Sequence, residues 1–451
     1  MCEEDLILGT FCAKYRDYID TINTLYSLKE GCAEVLYDQI DYILNKYKID
    51  PYFFQVLCSK ASSENLIALP IYWDIFKLLY SSYPRNLKYG DFTPRFRSLI
   101  VKQYGSGFKM EKDKYRDQSI DQILQVYDSS SLKYYLMRDD VEFLKETCLE
   151  NGLDPNDYYG SLRLIDLCCK FGSYNCFRYL KQLGAEITNE SLIQSMRGGN
   201  SLIISEILQE INKYEFNERF FDAFLHVRDM ELLKDIVPKF VDLFDYLHTF
   251  IYDNLNLFFL KFSLTNDLDS ALCAAVYYNI SSLVVDFVNL GADVNGKNIL
   301  DSPFIAASKI GNLEYLKLFC EYGCDLNKYS MNPFHFAAMN DDLEMAKFLY
   351  NNNCDMYATA SNSNKLPIEI AVNYKSEKVI RFLLLKDPLL VLRADFNKNE
   401  VSKAVYNEYC QRGIVNWISI FGDFFDILGK YLKYPILMIL IIYFLRDNFI
   451  L

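Results

Sequence analysis

Histidine, glycine and proline are scarce in this chain, and positive charge is in deficit. Of 451 residues only 18 are Gly and 11 are Pro, too few for an all-β chain, which needs a tight turn after every strand. Helical hairpins need fewer, so the composition points to an all-α protein. Lys and Arg total 47 against 60 Asp and Glu, a formal net charge of −13. That excludes a nucleic-acid binder neutralising phosphates along its whole length. Only three histidines occur, His226, His248 and His335, each inside an apolar helical run. No Gly-x-Ser-x-Gly elbow, phosphate loop, His-Glu-x-x-His or dinucleotide fingerprint accompanies them. The chain is therefore read as non-enzymatic, with no catalytic, cofactor-binding or metal residue assigned and no cofactor expected. The N-terminus, Met1-Cys2-Glu3-Glu4-Asp5, is acidic where a secretory leader is basic. The 13 cysteines are scattered, and neither Cys320 with Cys324 nor Cys168, Cys169 and Cys176 has the paired spacing of a zinc site. Free structural thiols in a reducing, cytoplasmic setting are expected.

What is abundant is a repeat. From Gly311 the chain runs twelve residues with apolar side chains at helical offsets to Gly323, then Cys324-Asp325-Leu326-Asn327. Asn279 to Gly291 repeats this spacing and ends Ala292-Asp293-Val294-Asn295; Asp341 to Asn353 ends Cys354-Asp355-Met356; Gly172 to Gly184 ends Ala185-Glu186-Ile187. A second block precedes each: Pro333-Phe334-His335-Phe336-Ala337-Ala338, Pro303-Phe304-Ile305-Ala306-Ala307, Pro367-Ile368-Glu369-Ile370-Ala371, and Ala271-Leu272-Cys273-Ala274-Ala275 without the proline. Proline at a helix start lacks an N–H that would have no partner there anyway. The small residues after it allow a second helix to approach closely. Ala275, Ala307, Ala337 and Ala371 fall 32, 30 and 34 residues apart.

At these residues the chain resembles the ankyrin repeat, whose period is about 33 residues and whose first helix opens Thr-Pro-Leu-His-x-Ala. Asn332-Pro333-Phe334-His335-Phe336-Ala337-Ala338 carries the closest likeness. The resemblance implies a pair of antiparallel helices per repeat, a projecting loop between repeats, and a structural role for His335 tying neighbouring backbone together. Upstream the spacing persists in degraded form, with turns near 172, 200 and 228 set 28 residues apart, as though helix pairs are kept and the projecting loop trimmed. Asp139-Asp140 and Asp341-Asp342 fall at the tight turns, where carboxylates cap helix N-termini.

The flanks differ. Residues 1–92 are tyrosine-rich with helical periodicity and no repeat, and read as a helical domain; ankyrin-repeat proteins abundant in protists, with a helical N-terminal region and partly degenerate repeats, are similar. Residues 93–120, basic and containing Tyr104-Gly105-Ser106-Gly107, read as a solvated linker, the alternative being a patch for an anionic partner such as a phosphoinositide or RNA. Degenerate helix pairs are assigned to 121–266, ankyrin repeats to 267–395, and a hydrophobic helical tail to 396–451. Tyr431 to Leu451 reaches a spanning length but encloses Lys433, Arg446 and Asp447. Two readings of that tail stand: a membrane anchor, or a helix that folds back as a cap on the stack or into a partner.

The expected protein is thus an all-α, ankyrin-type α-solenoid with an N-terminal helical domain. It would act as an interaction scaffold for protein partners, or as a membrane-tethered adaptor if the tail inserts. The expected contact positions are the loop tips Lys297, Asn298, Lys328, Tyr329 and Ser330 and the first-helix residues Lys309 and Met339.

Overall fold

The computed structural model describes residues 3–28, 33–105, 114–210, 217–361 and 363–411, so the tail expectation at 431–451 lies outside the described residues. The chain forms two compact units, Met1–Asp293 and Val294–Leu451. Apart from a two-residue antiparallel ladder, β1 (Tyr158–Tyr159) with β2 (Leu162–Arg163), the secondary structure described is helical.

The first unit opens with six helices: α1 (Glu3–Lys14), α2 (Arg16–Tyr26), α3 (Ala33–Tyr47), α4 (Pro51–Glu64), α5 (Leu69–Ser82) and α6 (Pro94–Tyr104). Phe76 centres an aromatic cluster with Trp73, Tyr80, Phe92, Phe96 and Tyr104, ring centroids 5.3–6.5 Å apart. The segment expected to be a solvated linker is therefore half wrong. Phe96, Leu99 and Ile100 on α6 are buried, and the interleaved Arg95, Arg97 and Lys102 disguised that apolar stripe in the sequence. Residues 106–113 lie outside the described set.

Helix pairs follow. α7 (Ile120–Gln125) leads into α8 (Leu132–Met137) with α9 (Val141–Asn151), α10 (Leu164–Phe171) with α11 (Tyr174–Gln182), and α12 (Asn189–Gly198) with α13 (Ser201–Glu210). Next come α14 (Glu218–Phe224) with α15 (Met230–Ile236), α16 (Tyr246–Ile251) with α17 (Leu255–Thr265), and α18 (Leu268–Tyr278) with α19 (Ser281–Asn289). The irregular stretch 242–266 thus contains a pair of its own. First helices pack on first helices, α8 on α10, α10 on α12 and α12 on α14, and second helices on second helices, as α9 on α11. The approach is close enough to demand glycine at 198, where an added Cβ would sit 2.1 Å from the Cys169 carbonyl oxygen.

The six N-terminal helices are not set apart from these pairs. α1 lies along α17, a second helix, with Phe11 against Phe259, Phe262 and Phe287 at 5.3–5.7 Å. Such ring pairs are each worth about 0.5–1.5 kcal/mol beyond area burial. Around this seam Lys14 Nζ and Tyr15 Oη both donate to Asp286. Arg228 lies over the Tyr26 ring at 3.6 Å while donating to the carbonyls of Tyr252 and Asp253.

The second unit holds α20 (Pro303–Ile310) with α21 (Leu313–Glu321), α22 (Pro333–Asn340) with α23 (Leu343–Asn351), α24 (Pro367–Tyr374) with α25 (Glu377–Lys386), and α26 (Glu400–Gln411). Its first helices stack α20 on α22 on α24, and α26 packs on α25, with Arg381 donating to Glu408 at 2.6 Å.

Polar side chains fasten each pair to the next. Asp140 and Asp342 accept from Phe143 N at 3.1 Å and Met345 N at 2.9 Å, capping their own second helices. Their left-handed neighbours Asp139 and Asp341, at φ 57° and 51°, reach across to the following pair. Asp139 accepts from Asn175 N and Cys176 N, and Asp341 from Val379 N. His335 is fully buried. Its Nδ1 accepts from Asn332 N at 3.2 Å and its Nε2 donates to the Lys365 carbonyl at 3.3 Å, on the approach to α24. Burial holds its pKa below the ordinary histidine value. In α10 the same third helical position carries Asp166, bidentate with Arg163 at 2.9 and 3.0 Å and accepting from Ser191 of α12 at 2.6 Å. A buried ion pair there replaces the neutral imidazole.

Two outcomes follow for stability. Asp166→Ala leaves Arg163, only 7% exposed, without its counter-charge, and should cost about 3–5 kcal/mol; replacing both with apolar residues should recover most of that loss, read from urea midpoints. Because the folded pKa of His335 is depressed, the folded state takes up its proton later than the unfolded chain. Stability is then present above about pH 6.5 and lost as pH falls below it. His335→Gln should be less stable at pH 7.5 and should lose less between pH 7.5 and 5.5 than the native chain, measured by thermal melts.

Candidate functional site

In the second unit the loops between pairs are built by the recurring Asp-apolar-Asn tail. Asn295 Oδ1 accepts from Asp325 N at 2.7 Å, and Asn327 Oδ1 repeats this with Asp355 N at 2.7 Å. Asp325 and Asp355 each accept from the N–H two residues on, turning the chain outward. The tail therefore recurs because each asparagine ties its turn to the one that follows. The first unit shows the same tie at Asn156, whose Oδ1 accepts from Glu186 N at 2.9 Å.

The expected contact residues are placed on this frame as follows. Lys297 and Asn298 are exposed in a turn that Gly296 makes at φ 67°, where an added Cβ would meet the Asp301 carbonyl oxygen at 2.3 Å. Asn298 Oδ1 holds that turn by accepting from Leu300 N and Asp301 N. Ser330 is exposed at the next tip. Lys328 and Tyr329 are not independent of the fold. Lys328 Nζ donates to the Gly296 carbonyl at 2.6 Å, and Tyr329 Oη reaches the carbonyls of Asn295 and Gly296 at 3.0 and 3.1 Å. The half-buried Tyr329 ring also stacks on Phe304 at 5.8 Å. Tyr329, expected as a contact position, thus also clamps adjacent loops of the fold. Lys309 is exposed and lies 6.0 Å above the Phe336 ring, and Met339 is half-buried on the neighbouring helix. The structure thus brings Lys309, Phe336 and Met339 onto one face of α20 and α22.

Sequence reasoning missed Leu300, a loop-tip side chain 67% exposed, and Tyr374, exposed at the end of α24. The signal for both was position: each sits where the repeat places a polar tip or helix end. It also passed over the first unit, where a cavity of about 810 Å³ opens over α10 and α12, with Lys170, Gln194, Arg197 and Arg219 among its lining. The other two histidines each lie beside a carboxylate. His248 Nδ1 lies 2.7 Å from Asp245 at the start of α16, and His226 Nδ1 lies 3.1 Å from Glu64. A cavity of about 550 Å³ among the N-terminal helices is lined by Glu34, Asp74, Lys77 and Ser81 with apolar neighbours, Asp74 being paired with Lys77 at 2.7 Å. Cys168, Cys169 and Cys176 are buried in the first unit, and burial raises the pKa of Cys168 and Cys169.

With this geometry in place, comparison with known proteins is informative. The family model for ankyrin repeats, three copies, matches residues 272–360 and 304–399. Alpha-latrocrustotoxin-Lt1a of Latrodectus tredecimguttatus is 33% identical over 114 residues, 24% of this chain and 8% of that protein. Protein VAPYRIN-LIKE of Medicago truncatula is 29% identical over 142 residues, 30% of each. The chain therefore spans under a third of the length of either curated relative. Among solved structures, the human ASB11 ankyrin repeat domain shares 14% identity, covering 54% of this chain and 91% of that one with a TM-score of 0.21. An ankyrin repeat protein from Leishmania major shares 15%, covering 58% and 83% with a TM-score of 0.24. From 272 to 399 this chain is built of ankyrin repeats, a protein-interaction module.

Proposed function

We propose that the protein is a non-enzymatic scaffold of the cytoplasm that holds partner proteins against the first-helix faces and loop tips of its repeats. One observation carries this reading. His335 and Asp341 are spent on helix-start and inter-repeat ties, whereas Lys309, Met339 and the tips at Lys297, Leu300 and Ser330 stand at the surface of that pinned frame. A rigid, repeated frame presenting varied side chains is suited to gripping an extended partner surface. Cys58, Cys168, Cys169, Cys176, Cys273 and Cys354 are buried free thiols, which accords with a reducing compartment.

The test separates contact residues from clamp residues. Full-length protein carrying Lys309→Glu with Met339→Ala should lose captured partners from native lysate while its melting behaviour changes by no more than about 0.5 kcal/mol. An unchanged set of captured proteins would remove the α20–α22 face from the reading. Tyr329→Ala should instead lower stability, by about 1 kcal/mol or more, through the lost hydrogen bonds and ring stack. Tyr329→Phe, which keeps the stack, should fall between the two.

A further inference from the structure

We infer that Cys320 and Cys324 form a peroxide-sensitive dithiol, closing reversibly to a disulfide at the end of α21. The inference goes beyond the scaffold reading and does not depend on it.

Cys320 lies in the last turn of α21, and Cys324 follows just past its end. Gly323, at φ 82°, ends the helix in the left-handed region. Its N–H donates to the Cys320 carbonyl at 3.2 Å, and Cys324 N donates to the Phe319 carbonyl at 3.0 Å. This helix ending folds the residue after the glycine back onto the last turn. Four residues of helical rise cover about 6 Å, within the roughly 4.4–6.8 Å that a disulfide bridges. The two thiols meet there. Cys324 donates to the Cys320 sulfur, which holds Cys320 below the ordinary thiol value and Cys324 above it. Both are only half-buried, so a small oxidant reaches them. The thiolate is the form that reacts, which makes Cys320 the attacking group and Cys324 the resolving one.

Packing does not require this pair. The same positions hold Val288 with Ala292 in the preceding repeat and Tyr350 with Cys354 in the following one. Cys354 is buried, its Sγ 3.7 Å from the Leu326 carbonyl oxygen, and burial pushes its pKa up to about 12. Cys168 and Cys176 also make thiol contact, but both are fully buried. Among the described residues no third ligand joins Cys320 and Cys324 to hold a metal ion.

Cys320, after losing its proton to solvent, attacks one oxygen of hydrogen peroxide. The O–O bond breaks and its electron pair leaves on the other oxygen, which takes up a proton and departs as water. Cys320 is then a sulfenic acid. The Cys324 sulfur attacks the Cys320 sulfur, the S–O bond breaks, and the hydroxyl leaves with the Cys324 proton as a second water. Two electrons have passed from the thiols to the peroxide. A dithiol reductant reopens the bond by exchange and is itself oxidised to a disulfide.

The test treats the full chain with hydrogen peroxide, blocks the remaining thiols with iodoacetamide in denaturant, and reads tryptic peptides by mass. Cleavage after Lys317 and Lys328 places both cysteines in one peptide, 318–328, and Cys354 in another. Peptide 318–328 should lose two hydrogens and escape alkylation at doses that leave Cys354 alkylated. Dithiothreitol should restore both thiols. In Cys324→Ser, dimedone should trap a sulfenic acid on Cys320, because the resolving thiol is gone. Cys320→Ser should give about a tenth of that adduct or less on Cys324. The native chain alone decides the main point, so a variant that fails to fold leaves the result intact. Oxidation of Cys320 no faster than of Cys354 would overturn the inference, as would a disulfide from either thiol to another cysteine. Partner capture through Lys309 and Met339 is read separately and is unaffected by either outcome.

Discussion

Helices of eight or nine residues, the length of α20 through α23, are too short to persist in water by their own hydrogen bonds. Each exists because its neighbours bury its faces, so the contact between consecutive pairs is the interaction on which the structure rests. That constraint explains the small residues at Ala306, Ala307, Ala337 and Ala338, all buried, and the intolerance of a side chain at Gly198. It also explains where polar chemistry went. A short helix has a large share of unpaired N–H groups at its start, and Asp139, Asp140, Asp341 and Asp342 meet them both within a pair and across to the next.

The junctions use two different solutions to one problem. Between α22 and α24 a neutral imidazole links the helix start to the following loop. Between α10 and α12 a buried Arg163–Asp166 pair recruits Ser191 and Thr188. The first is pH-sensitive near neutrality through desolvation of the ring, and the second depends on charge balance. A neutral link tolerates the loss of one partner better than a buried ion pair does, because a stranded charge in the interior costs far more than a stranded dipole.

Placing α1 against α17, with Phe11 between Phe259 and Phe287, covers second-helix surface within the first unit. The cavity of about 810 Å³ lies instead among the first helices α10, α12 and α14. In the second unit the open positions at Lys309 and Met339 are of different character, one cation and one apolar side chain.

The amino-acid sequence alone determined the helical class, the pairing of helices and the turn positions, because spacing, left-handed turn residues and caps are local properties of the chain. The Asp-apolar-Asn tail and the helix-start histidine were legible for the same reason. Tertiary structure alone decided that α6 is buried, that Tyr329 clamps loops, and that Lys170, Arg197 and Arg219 line one cavity. Each of those depends on which distant segment comes to lie alongside, and a side chain's partners across a packing interface leave no periodic mark on its sequence neighbours.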